Sequence, residues 1–133
     1  MALENITMTK LRRLILDILL QAQEPVKAYD LLERAREKGH RLTASTIYRI
    51  LDYLEASGLI HRVSSLNAFL ACVEGRQAHH PLIVVCPQCQ KTQEVNDEIL
   101  SKSIFQRLNA LGLNISTGSV EIRGLCPQCA PEI

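Results

Sequence analysis

From Lys10 to Leu20 the apolar residues Leu11, Leu14, Ile15, Ile18 and Leu19 fall at i, i+3, i+4, i+7 and i+8. That spacing is one stripe of a helix, with Thr9 placed to cap it. Glu24-Pro25 stops the helix, because proline drives the residue before it out of helical geometry. A second stripe, Ala28, Leu31, Leu32 and Ala35, ends at Gly39; its start is weak, since Lys27 stands where serine or aspartate caps better. The third stripe, Ile47, Ile50, Leu51 and Leu54, is capped by Thr43 or Ser45 and ended by Gly58. Two extended segments follow, His61 to Ser64 and Asn67 to Cys72, with Ser65-Leu66 between them. Three short helices and a hairpin in this order are the layout of a winged helix-turn-helix.

On the third helix the face opposite the stripe carries Ser45, Arg49 and Asp52, flanked by Thr46 and Tyr48. Standing alone, such a face reads as ordinary solvated surface. Within this order of elements it reads as the base-contacting face, and an arginine there can bond bidentately to guanine O6 and N7.

The pattern changes after residue 81. Leu82 to Cys86 is an apolar, largely β-branched run, and Lys91 to Val95 returns as its hairpin partner. Asn96 is placed to cap a helix with Asp97 and Glu98 in its first turn and a stripe of Leu100, Ile104, Leu108 and Leu111. Gly112 ends it, and Asn114 to Arg123 supplies a last strand or strand pair. The expected fold class is α+β: an N-terminal winged helix-turn-helix domain over 1–74, a hinge at 75–81, and a small C-terminal α/β dimerisation domain over 82–133. A three-stranded sheet with one helix buries little surface alone, so a metal and a second copy are both expected to support it. The apolar strand from Leu82 and the sheet edges are the expected pairing surface, since DNA-binding helix-turn-helix proteins commonly work as twofold dimers.

Cysteine usage sharpens the picture most. Four of the five cysteines make two identical tetrapeptides, Cys86-Pro87-Gln88-Cys89 and Cys126-Pro127-Gln128-Cys129. Each Cys-x-x-Cys is a tight knuckle that aims two thiolates at one point, and two knuckles supply the tetrahedral sulfur set of a structural zinc. Thirty-six residues separate Cys89 from Cys126, so a small domain must lie between the knuckles. Disulfides and a redox pair are the competing readings. The segment from Met1 to Thr9 has no secretory pattern, so a cytoplasmic, reducing setting is expected, and an odd cysteine fits a disulfide framework poorly.

Composition adds limits. No apolar run approaches the ~20 residues that span a bilayer, so no membrane partner is expected. Residues 1–72 hold ten Lys/Arg against eight Asp/Glu, and 73–133 hold five against six. The small basic excess lies in the first half, so DNA affinity there depends on local placement of cations and should fall with salt. A deaminase is excluded by the lack of His-x-Glu and by Val85, where that signature needs proline before the knuckle. His61, Cys72, His79, His80 and Glu94 are further soft or borderline ligands near the junction of the halves. Singly, Cys72 reads as a small buried apolar residue and His79-His80-Pro81 as a linker.

Ala28-Tyr29-Asp30-Leu31-Leu32, Thr46-Ile47-Tyr48-Arg49-Ile50-Leu51, Gly58-Leu59-Ile60-His61, Asn67 to Cys72 and the paired knuckles together resemble the ferric uptake regulator family, and within it the zinc uptake regulators. The resemblance runs from about Thr9 to Cys129. It implies structural zinc on Cys86, Cys89, Cys126 and Cys129, and regulatory zinc on His61, Cys72, His79 and Glu94, with His80 as a possible substitute for His79. Two zinc ions per chain follow. It implies that Arg49 meets base edges, that Tyr29 meets DNA from the start of the second helix, and that Thr46 and Tyr48 meet phosphate or sugar. Ser45 and the basic residues Lys10, Arg12 and Arg13 complete the expected DNA-binding set.

The family pattern is shortened in places. Eight residues precede Thr9, so the family's extra N-terminal helix is expected to be reduced or absent; the His-His-x-His run is only His79-His80-Pro81-Leu82, and a His-rich tail is missing. The implied function is not enzymatic. It is that of a cytoplasmic, homodimeric, zinc-responsive transcriptional repressor on a palindromic double-stranded DNA operator, controlling zinc homeostasis genes with zinc as co-repressor. An iron, manganese or peroxide sensor of the same family is the alternative, and the thiol of Cys72 weighs against it.

Overall fold

In the computed structural model the three N-terminal stripes become α1 (Lys10–Ala22), α2 (Ala28–Glu37) and α3 (Ala44–Ala56). The structure describes residues 6–72, 82–95, 97–115 and 119–130, which fall in two compact units, Met1–Gln77 and Ala78–Ile133. The expected hinge at 75–81 lies outside the described residues.

In the first unit, Thr9 and Thr43 cap α1 and α3, accepting from the Arg12 and Thr46 N–H groups at 3.2 Å each. Ser45 therefore sits inside α3 and is free of capping duty. Lys27 makes no side-chain cap, as expected. The α2 and α3 C-termini close alike: Gly39 (φ 90°) donates to Arg36 and His40 to Ala35, while Gly58 (φ 77°) donates to Glu55 and Leu59 to Leu54. This paired closure needs a left-handed residue that glycine alone adopts at no steric cost.

The hairpin lies one residue earlier than its pattern suggested, with the same overall span. β2 (Ile60–Val63) and β3 (Ala68–Ala71) are joined by a 3-10 turn, Ser64–Leu66, and left-handed Asn67 (φ 50°) closes the turn. A strand the periodicity could not reveal, β1 (Val26–Lys27), pairs antiparallel with β3, giving the order β1-β3-β2. Two residues are too few for any period to register.

The core of this unit joins Ile15, Leu16, Ile18 and Leu19 of α1, Leu31 and Ala35 of α2, and Ile47, Ile50, Leu51 and Leu54 of α3 to Val26, Ile60, Phe69 and Ala71. Because strand side chains alternate, Ile60, Phe69 and Ala71 lie on one face of the hairpin and point into that core. The opposite face is left for other duties.

In the second unit β4 (Leu82–Val85) pairs antiparallel with β5 (Thr92–Val95) and parallel with β6 (Val120–Arg123), in the order β5-β4-β6. This corrects one expectation. Both edges of β4 are taken within the chain, so the strand from Leu82 cannot pair with a second copy, and among the described residues the outer edges of the sheet belong to β5 and β6. The last strand is also shorter than 114–123, and residues 116–118 lie outside the described set.

α4 (Glu98–Ala110) starts one residue later than expected. Asp97 caps it, its carboxylate accepting from the Leu100 N–H at 3.0 Å; Asn96 lies outside the described residues. Its expected stripe is displaced too. Phe105 is the buried residue, flanked by half-buried Ser101, Ile104 and Leu108, while Leu100 is exposed and Leu111 is 77% exposed. The aromatic ring, absent from the expected stripe, offers more area to bury than leucine and turns the helix toward itself. Only Leu82, Ile83, Val85, Cys86 and Phe105 are buried among the described residues of this unit.

Leu51→Ala should show where stability resides in the first unit, since Leu51 is fully buried among all three helices. Urea unfolding monitored by circular dichroism is expected to give a loss of about 2–5 kcal/mol.

Candidate metal centres and nucleic-acid interface

The two knuckles meet because β4 and β6 run in parallel. Val85 is opposite Arg123, and the Gly124 N–H donates to Val85 O at 3.1 Å, so each strand enters its knuckle at the same end of the sheet. Each knuckle is a turn closed on its first cysteine: Gln90 N–H donates to Cys86 O and Ala130 N–H to Cys126 O, both at 2.8 Å. Gln90 takes the left-handed conformation (φ 65°) that turns the first knuckle back into β5.

The sulfurs of Cys86, Cys89, Cys126 and Cys129 all lie within 4.8 Å of one another. Cys89 Sγ and Cys126 Sγ are 3.8 Å apart, far longer than a disulfide bond. That separation matches the edge, about 3.8 Å, of a tetrahedron with ~2.3 Å metal–sulfur bonds. None of the five cysteines is in a disulfide.

Cys86 and Cys129 compete for protons. Backbone N–H groups of Cys89 and Cys126 draw Cys86 down to about 6, whereas the hydrogen bond with Cys126 and crowding by the other sulfurs push Cys129 up to about 12. A soft divalent cation at the centre of the four sulfurs removes the competition, because it stabilises all four thiolates at once. The donor set fits zinc, and four protein ligands leave no open position for a catalytic water.

A second pair of candidate ligands lies in the first unit. Cys72 N–H donates to Leu59 O at 2.9 Å, extending the β2–β3 ladder by one step. His61, Leu70 and Cys72 therefore share the hairpin face turned away from the helical core, whereas Leu59, just before β2, packs against that core. His61 is 8% and Cys72 5% exposed, neither belongs to the apolar cluster, and an imidazole nitrogen and the thiol lie within 4.8 Å. A buried imidazole and thiol held side by side are a soft, zinc-preferring pair. Glu94 is half-buried on β5 of the second unit, opposite Ile83 of β4. His79 and His80 lie outside the described residues.

The candidate recognition face is built by α3. Ser45, Tyr48, Arg49 and Asp52 are exposed, and Thr46 is half-buried with its hydroxyl 3.0 Å from that of Thr43. Tyr29, in the first turn of α2, is 70% exposed. Lys10 and Arg13 are accessible on α1, and Arg13 makes a loose i,i+4 pair with Asp17 at 3.9 Å.

Arg12 has a packing role the sequence did not suggest. Its guanidinium stacks 3.5 Å from the centroid of the Tyr53 ring and donates to Thr7 O at 2.7 Å, while Thr7 N–H donates to the Tyr53 hydroxyl at 2.6 Å. This lock ties the segment before α1 to α3. The only clue in the sequence was Tyr53 itself, an amphipathic ring just off the buried stripe of α3.

The model of the ferric uptake regulator family matches residues 4–123. The zinc uptake regulation protein of Escherichia coli (strain K12) is 27% identical over 129 residues, covering 96% of this chain and 75% of the relative. Among solved structures, holo XcZur is 34% identical with a TM-score of 0.79, covering 93% of this chain and 86% of that one. A zinc uptake regulator complexed with zinc and DNA is 28% identical with a TM-score of 0.81, covering 96% and 86%. Among the described residues no helix is long and apolar enough to cross a membrane. Since the family model spans both the recognition helix and the first knuckle, this chain belongs to the ferric uptake regulator family and is a metal-responsive regulator, not an enzyme.

Proposed function

We propose that this protein is a cytoplasmic, homodimeric transcriptional repressor that binds a palindromic DNA operator when zinc is plentiful and controls genes of zinc homeostasis. One observation carries the reading: a thiol and an imidazole, Cys72 and His61, are buried together on the non-core face of the wing hairpin. Iron and manganese sites favour oxygen and nitrogen donors, so a thiol at this place favours zinc. The likeness to a zinc uptake regulator complexed with zinc and DNA supports the same reading.

In this proposal each chain takes two zinc ions. The structural ion sits on Cys86, Cys89, Cys126 and Cys129, and the regulatory ion on His61, Cys72, His79 and Glu94. The chain divides into a DNA-binding domain over 1–74, a hinge at 75–81 and a dimerisation domain over 82–133, so the regulatory ligands come from all three. A zinc held by all of them fixes the spacing of two winged helices in a dimer. Zinc can favour that state only by its differential affinity, so a ~100-fold change in operator affinity needs about 2.7 kcal/mol of coupling.

Arg49 meets base edges in the major groove, Ser45, Thr46 and Tyr48 flank it, and Tyr29, Lys10 and Arg13 meet the backbone. Arg12 acts by holding the segment before α1 through Tyr53. For the dimer, the exposed apolar side chains Ile99, Leu100, Leu111, Leu113 and Ile122 of the second unit, together with the outer β5 and β6 edges, supply surface that a second copy would cover.

Three substitutions test this. Cys72→Ser should leave a folded dimer with one zinc per chain but abolish zinc-dependent operator binding; unchanged affinity across buffered free zinc, or a wild type that retains iron or manganese in preference to zinc, would contradict the sensor assignment. Cys126→Ser should remove the structural ion and with it cooperative unfolding or dimerisation, as read by metal content, thermal denaturation and sedimentation. Arg49→Ala should weaken operator binding by about 1–3 kcal/mol while random DNA is affected far less, in gel-shift titrations at fixed salt.

A further inference from the structure

α3 carries two stripes of the same spacing. Ile47, Ile50, Leu51 and Leu54 are buried, while Ser45, Tyr48, Arg49 and Asp52 are exposed. The second set is displaced by two residues, about 200° around the helix axis, so it is the face turned squarely away from the core. Homeodomain recognition helices present their base-reading side chains at the same i, i+3, i+4, i+7 spacing.

Three of these four positions suit a polyanion, and Asp52 does not. Double-stranded DNA carries about one negative charge per 1.7 Å of helix axis, so a carboxylate on the docking face is repelled at every site that offers it no donor. An internal pair with Arg49, one turn earlier, would neutralise it. Among the described residues neither Arg49 nor Asp52 has an ion-pair or side-chain hydrogen-bond partner. Both charged ends are therefore available to a ligand.

Base chemistry offers a use for this arrangement. In the major groove a carboxylate is matched by the amino group of cytosine N4, as an arginine is by guanine O6 and N7. Along the α3 axis Asp52 lies about 4.5 Å beyond Arg49, comparable to the ~3.4 Å step between base pairs. We infer that Asp52 is a specificity-determining residue of the DNA-binding face, accepting a hydrogen bond from a cytosine N4 amino group within one or two base pairs of the guanine read by Arg49. On any other sequence its charge faces the duplex unpaired, so it weakens non-specific binding. The inference rests on the DNA-binding reading proposed above and adds to it a second base and a mechanism of discrimination.

The test is selection from a randomised duplex pool by the zinc-loaded full-length protein, comparing wild type, Arg49→Ala, Asp52→Asn and Asp52→Ala. Wild type should recover sites with a guanine position that Arg49→Ala loses and a nearby cytosine position. In Asp52→Asn that cytosine should give way to adenine, whose N6 and N7 asparagine can pair, and in Asp52→Ala to no preference. The ratio of specific to random-DNA affinity should fall by about 5- to 100-fold in both Asp52 variants, the size of one base-pair readout. Unchanged zinc content and circular dichroism establish that these variants are folded. If the Asp52 variants keep the cytosine position, or bind all DNA tighter by one common factor, the inference is overturned while the DNA-binding reading stands. If wild type selects no sequence at all, that reading falls and takes this one with it.

Discussion

Two segments separated by most of a domain enter the same end of one sheet running in the same direction, and the second unit depends on that parallel pairing. β4 feeds Cys86 and β6 feeds Cys126, and the ladder between them fixes both knuckles to one small volume. Parallel strands require a crossover of a dozen residues or more, which β5 and α4 supply. The closure of so long a loop is costly in chain entropy, and the few buried side chains of this unit offset only part of it. The zinc proposed on the four thiolates would offset the rest; a structural zinc contributes about 10–16 kcal/mol in small zinc-finger peptides.

The first unit is built differently, around apolar burial on three helices and one face of a hairpin. Strand alternation then does two things at once. Ile60, Phe69 and Ala71 complete the helical core, and the residues between them carry His61 and Cys72 on the other face. The wing is thus fastened to α3 by its inner side chains and bears the proposed metal ligands His61 and Cys72 on its outer face. A shift of register by one residue would exchange the two faces, so the core that fixes the register also fixes the ligand pair.

Arg12 shows how the same residue type serves two ends. On α1 it is a cation close to the expected DNA-binding set, yet its guanidinium is spent on the Tyr53 ring and the Thr7 carbonyl. Arg49 on α3 has no such partner among the described residues, because the ring and the carbonyl that would hold it lie elsewhere. Which cation is structural and which is presented outward is decided by neighbours from other elements.

Much of this was legible along the chain, because the relevant physics is local. Helical stripes, the Thr9 and Thr43 caps, the glycines that close α2 and α3, and the Cys-x-x-Cys knuckles are each determined within a few residues, and each was readable there. The sequence also determined the donor chemistry, since a fifth cysteine and a histidine at their places in the hairpin are soft ligands whatever surrounds them. Tertiary structure alone decided the rest. It made β4 central and so closed its edges, turned α4 toward Phe105 in place of the leucine stripe, and added β1 to the wing sheet. It also brought four sulfurs into one cluster by parallel pairing across thirty-six residues and set Arg12 against Tyr53. The physical reason is common to all five: each depends on which surface a distant segment covers, and periodicity reports only that a surface is apolar, not what will cover it.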